Sequence, residues 1–199
     1  FKVDLPGVFT GIPCMNEFGG KPYKNAVDLL GGDLRRDHTR YTEATLFINR
    51  NYQGVKKILK EALKTKYEKI YVIVSEEANV DAFQSETGVS VTETFYVPFN
   101  NAFPQGYDQL KDKKFPQGSV VMLMAGPCGR ALAIELYQRN PLVTFLELGS
   151  FWDLELYGRS LGASYYEKSR HPNFYYFQKC WDTDPRFFNI DVDHFMQML

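Results

Sequence analysis

The sequence predicts an α/β fold, a Rossmann-like domain with a mostly parallel sheet of about five or six strands and helices on both faces. Two observations lead there. Short apolar runs alternate with amphipathic stretches between Thr45 and Leu148, the pattern of parallel strands joined by right-handed crossovers. The segment from Ser119 to Tyr157, SVVMLMAGPCGRALAIELYQRNPLVTFLELGSFWDLELY, reads as one complete strand, helix and strand followed by an acidic loop. Val120 to Ala125 is too short for a membrane span and stops at Gly126, as a strand buried on both faces should. Pro127 suits a first helical turn, where its missing N–H costs nothing. Leu132, Ile134, Leu136 and Tyr137 continue the helix, Asn140-Pro141 ends it, and Val143 to Leu148 forms the next strand.

The other elements follow in order. Thr45 to Asn49 reads as a first strand, and Tyr52 to Lys66 as an amphipathic helix carrying Val55, Ile58, Leu59, Ala62 and Leu63. Lys69 to Ser75 is a strand, Asn79 to Ser85 a short helix, Thr92 to Val97 a strand ended by Pro98, and Tyr107 to Lys113 a further short helix. Residues 1 to 44 are rich in Gly, Pro and charge, with one short helix near Tyr23 to Leu30. Two helical pieces are expected after residue 158. The whole is read as a single domain, and a chain beginning at Phe1 as a piece of a longer protein.

Composition narrows the function classes. The 23 basic and 24 acidic residues nearly cancel, so there is no broad nucleic-acid footprint and any phosphate recognition is local. No apolar run approaches the roughly 20 residues of a transmembrane helix, and the N-terminus lacks signal-peptide regions; a cytoplasmic location is expected. Cys14, Cys128 and Cys180 are far apart and in no CxxC pair, which argues against a disulfide framework or structural zinc. Aromatic clusters at Tyr165-Tyr166, Phe174 to Phe177 and Phe187-Phe188 read as core or as a subunit contact, leaving an oligomer open.

Ligands of open α/β sheets bind outside the carboxyl ends of the strands. Those ends carry Asn49 to Tyr52, Ser75-Glu76-Glu77, Asn100 and Asn101, Gly126 to Arg130, and Gly149, Ser150, Asp153 and Glu155. The turn Gly126-Pro127-Cys128-Gly129 opens a helix, so backbone N–H groups and the positive end of the helix dipole make it a place for phosphate; its glycines alternatively serve only close strand-to-helix packing. Arg130 in the first turn opposes the dipole unless an anion is near. Asn100 and Asn101 could bind a ligand or make turns. Asp153 and Glu155 have a D-x-E spacing suited to a divalent cation, or are the acids that favour a helix N-terminus. The chain lacks the GxSxG elbow of a hydrolase.

Three segments, taken in order, resemble the GT-D type glycosyltransferases, a bacterial group with a Rossmann-like sheet. Val97 to Phe103 with Tyr107-Asp108 is similar to that family's "P…NAF…YD" segment. Ser119 to Ala133 is similar to its strand and "GPxAKxLA" helix start, Arg130 standing where the family has lysine. Glu147 to Ser150 with Asp153, Glu155 and Tyr157 is similar to its "DIGH…D-E-Y" segment, Glu147 and Ser150 replacing Asp and His. The family's acidic G-D-G-E motif has no counterpart, and is expected upstream of this chain or lost.

The resemblance implies sugar transfer from a nucleotide-sugar donor to a glycan acceptor. Gly126 to Arg130 would hold the donor diphosphate, Asn100, Asn101, Gly149 and Ser150 would line the donor site, and Asp153 or Glu155 would hold manganese or magnesium or act as the base. Gly129→Val is expected to abolish donor binding with the fold intact. A non-catalytic nucleotide- or glycan-binding domain of a larger glycan-assembly protein is the alternative. A methyltransferase ranks lower, because its glycine motif follows the first strand of the sheet, not the fourth.

Overall fold

A computed structural model describes residues 7–8, 10–12, 41–43, 51–100 and 102–158. The chain divides into two compact units. In one, strands β1 (Thr10–Ile12) and β2 (Tyr41–Glu43) pair in parallel. The other is built on β3 (Ile70–Ser75), β4 (Glu93–Val97), β5 (Val120–Met124) and β6 (Thr144–Glu147). These form an all-parallel sheet in the order β4-β3-β5-β6. Five helices are described: α1 (Asn51–Lys66), α2 (Val80–Thr87), α3 (Ala102–Leu110), α4 (Gly126–Arg139) and α5 (Asp153–Tyr157).

The fold is α/β and Rossmann-like in general, with a four-stranded main sheet among the described residues where five or six strands were expected. The strand expected over 45–49, the helix over 23–30 and the helical pieces after residue 158 lie outside the described residues.

Strand order and handedness decide which helix covers which face. β3 leads through α2 to β4 on one side, whereas β4 leads through α3, and β5 through α4, in the opposite direction along the sheet. Right-handed crossovers must then put α2 on one face and α3 and α4 on the other. The packing agrees: α3 lies against α4, and α2 against α5. Tyr71, Ile73, Val121 and Leu123 share one core with Leu110 of α3 and Cys128, Leu132 and Leu136 of α4. Their strand neighbours Val72, Val74, Val120 and Met122 point to the other face and are fully buried as well. Near-continuous apolar strands are what burial on both faces requires.

Local chemistry sets the helix limits. Asn79 caps α2, its Oδ1 accepting from the Ala82 N–H at 2.9 Å. Gly88, at φ 68°, ends that helix. α3 begins earlier than the expected Tyr107. Phe103 is extended (φ −103°, ψ 133°), as a residue before proline prefers, and the turns from Pro104 onward close at Leu110. A Cβ on Gly106 would stand 2.8 Å from Val97 Cγ1 and 3.4 Å from Cys128 Sγ. Only glycine lets α3 lie this close to β4 and α4.

Asn140 terminates α4 and ties down the loop before β5. Its Oδ1 accepts from the Phe115 N–H at 3.0 Å, and its Nδ2 donates to the Lys113 and Leu136 carbonyls at 3.1 and 2.8 Å. At 6% exposure no water can replace these bonds, so truncation leaves buried backbone groups unpaired. Asn140→Ala should lower stability by about 2–4 kcal/mol. In urea unfolding the midpoint should fall at an unchanged slope; an unchanged midpoint would remove this role from Asn140.

Candidate active site

The sheet has one reversal of winding. β3 and β5 are neighbours, paired Val74 to Met124, yet the chain leaves β3 for α2 on one face and leaves β5 for α4 on the other. Adjacent strands whose exits diverge leave a crevice at their carboxyl ends, the switch point where open α/β sheets bind ligands. Continuing the register sets Ser75 beside Ala125, one strand spacing of about 4.8 Å apart. The glycine turn found in the sequence therefore opens on this crevice.

On the β5 side the turn separates into two kinds of residue. Gly126 is exposed at φ +55°, and a Cβ there would meet nothing within 4 Å. Pro127 is exposed in the first turn of α4, and no side chain caps that helix. Cys128 and Gly129 face inward instead. Cys128 is 1% exposed in the core shared with β5, and burial pushes its thiol pKa up. A Cβ on Gly129 would sit 3.5 Å from Leu123 Cβ, and the Gly129 N–H donates to the Ala125 carbonyl at 3.3 Å. Gly129 thus serves helix-to-strand packing, and Gly129→Val would press on Leu123 rather than report on a ligand alone. Arg130 projects outward, 75% exposed, its Nε 4.0 Å from Glu147 Oε2.

The end of β6 lies beside Arg130. Burial raises the Glu147 pKa, opposed by the positive charge of Arg130 and by the Gly149 N–H. Gly149, at φ +51°, and Ser150 form the half-buried turn between β6 and α5. The Gly149 N–H is turned toward Glu147, and the Ser150 carbonyl accepts from the Asp153 N–H at 3.2 Å. Both groups serve the turn itself.

On the β3 side the chain folds back. From the sheet edge at β6 it crosses to α2, where Trp152 meets Phe83 edge-on at 5.4 Å and the Leu156 carbonyl accepts from the Asn79 N–H at 2.7 Å. This docking carries Tyr157 to the end of β3, where its hydroxyl lies beside Ser75. The Ser75 hydroxyl also accepts from the Glu77 N–H at 3.2 Å. The Tyr157 pKa is raised, first by burial and then by the negative charges of Asp153 and Glu77, against the lowering effect of Ser75. Asp153 and Tyr157, four apart on α5, share a helix face; Asp153 and Glu155, two apart, do not. Both carboxylates are buried, at 7% and 4% exposure. The charge of Asp153 acts on Tyr157 near the end of β3. Among the described residues no group of three or more His, Cys, Asp or Glu is placed to hold a metal.

Asn100 is exposed beyond β4, next to Phe99, whose N–H approaches Glu76 Oε1 at 3.5 Å; β3 separates it from the glycine turn. Asn101 lies outside the described residues. At the end of β3 the structure groups Ser75, Glu77, Asp153 and Tyr157, and the strand register sets the start of the glycine turn beside Ser75. In the sequence Ser75 is only one of the strand-end residues and Tyr157 only part of the resembling segment, neither with a role. The available signal was the polar residue closing the apolar run of β3, but nothing in the sequence says that α5 returns to that strand. No family model matches the chain, and no curated protein or solved structure matches it.

The raised Glu147 pKa gives a pH-dependent test. A carboxyl whose folded pKa lies above its unfolded value binds more protons in the native state. Stability is therefore lost as pH rises from the ordinary value of 4.5 through the folded value. Glu147→Gln removes that loss, so its melting temperature relative to wild type should climb between pH 4 and pH 7. A difference independent of pH would show that Glu147 carries no such penalty.

Proposed function

We propose that this chain is a cytosolic glycosyltransferase that takes a sugar from a nucleotide-sugar donor and passes it to a glycan acceptor. One observation carries the reading: the glycine turn and the start of α4 stand at the switch point of the sheet, where a diphosphate would meet the Gly126 N–H, the helix dipole and the Arg130 guanidinium. The resemblance of three segments to GT-D type glycosyltransferases supports it.

The residues present suit the transfer step. The bond between the anomeric carbon and the diphosphate oxygen breaks, and its electron pair leaves with the nucleotide. Arg130 and the helix terminus oppose the charge that grows there. The acceptor oxygen forms the new bond and gives its proton to a base, for which Asp153 is the carboxylate whose charge acts near the end of β3. A second reading, a nucleotide- or glycan-binding domain without turnover, is favoured by the lack of a counterpart to the family's acidic G-D-G-E motif in this sequence.

A ligand that binds only the native state raises the melting temperature. A panel of nucleoside diphosphates and nucleotide sugars, each with and without manganese or magnesium, should give a shift for one nucleotide class, and the metal arms decide whether a cation takes part. Arg130→Ala should weaken that ligand about tenfold, the scale of a charge-assisted hydrogen bond. A flat panel would overturn the reading. Binding without donor hydrolysis or transfer would favour the second one.

A further inference from the structure

Two arginines of α4 are held in different ways. Arg139 is tightly engaged: its Nη2 lies 2.8 Å and its Nε 3.0 Å from Glu135 Oε1, and its Nη1 lies 3.2 Å from Asp112 Oδ1. Arg130 is held loosely. Among the described residues Glu147 is the one carboxylate in ion-pair range of it, with Nε to Oε2 at 4.0 Å, too long for a hydrogen bond. As the last residue of β6, two beyond Phe145 of the α3 and α4 core, Glu147 points to the face that α4 covers. Its Oε1 is buried there with no hydrogen-bond partner among the described residues, although the side chain as a whole is 29% exposed. A carboxylate drawn partly out of water is costly unless its oxygens are bonded, and here the cation compensates only at a distance.

An oxyanion at the first turn of α4 takes Arg130 as its counter-charge, and Glu147 then faces like charge at short range. That opposition grows with the charge of the ligand. A nucleotide sugar carries one negative charge on each phosphate of its diester. The nucleoside diphosphate left after transfer ends in a free phosphate, whose further ionisation, at a pKa of about 6, adds charge at neutral pH. We propose that Glu147 is a specificity-determining residue: by sharing Arg130 with the bound diphosphate it tolerates the less charged nucleotide sugar and disfavours the more highly charged nucleoside diphosphate. Discrimination of this kind comes from a repulsive element placed beside an attractive one. Transfer itself then weakens the hold on the leaving group. The assignment rests on the donor-site reading above.

Affinities of wild type, Glu147→Gln and Glu147→Asp would be measured by calorimetry at pH 8 for inorganic pyrophosphate and for the nucleoside diphosphate and matching nucleotide sugar found in the thermal-shift panel. Glu147→Gln keeps the size of the side chain and removes its charge. It should tighten pyrophosphate and the nucleoside diphosphate about tenfold and the nucleotide sugar about threefold, the scale of screened charges several ångströms apart at a protein surface. Glu147→Asp should keep the wild-type ratio between the two nucleotides. The extra tightening in Glu147→Gln should shrink in about 0.5 M salt, a response that a packing role for Glu147 would not give. Equal tightening of the nucleotide sugar and the nucleoside diphosphate, or no tightening of the nucleoside diphosphate while wild type binds, would overturn the proposal alone. Absence of wild-type binding would overturn the donor-site reading with it.

Discussion

The parallel ladder between β3 and β5 fixes both the core and the site. Each strand is buried on both faces, so a shift by a residue would exchange side chains of different shape between two close-packed cores. Because crossovers are right-handed, the positions of β4 and β6 on opposite sides of this pair force α2 and α4 onto opposite faces. The carboxyl ends of β3 and β5 are left uncovered by the helices that follow them. The crevice is a consequence of strand order and handedness.

Closure of the β3 side depends on a longer connection. The chain leaving β6 docks α5 on α2 through the Trp152–Phe83 contact and the Asn79-to-Leu156 bond, and this brings Asp153 and Tyr157 to Ser75. Opposite them, Gly126 and Arg130 present a positive wall. A ligand that is anionic at one end and rich in hydroxyls at the other matches the two walls. Nucleotide sugars have that form, and this match, rather than any one residue, joins the fold to the proposed chemistry.

Much of the fold is legible in the sequence because its strands are short and almost purely apolar. The runs ending at Ser75 and Met124 could be little else, and Asn79, Gly126 and Asn140-Pro141 punctuate them with ordinary capping chemistry. Strand order is not legible, since alternating strands and helices fit many orders, and without it the switch point cannot be assigned to one pair. The site suffers most from that gap. Gly126 and Gly129 look alike in sequence, yet one faces the crevice and the other Leu123. Tyr157 gains meaning only once α5 is docked.

The most direct test is amide chemical-shift mapping with the nucleoside diphosphate bound. The account predicts perturbations concentrated at Ser75 to Glu77, Gly126, Cys128 to Arg130 and Tyr157, the two walls of one crevice that are far apart in sequence. Perturbations confined to β4 and α3, or spread across the surface without these residues, would contradict it.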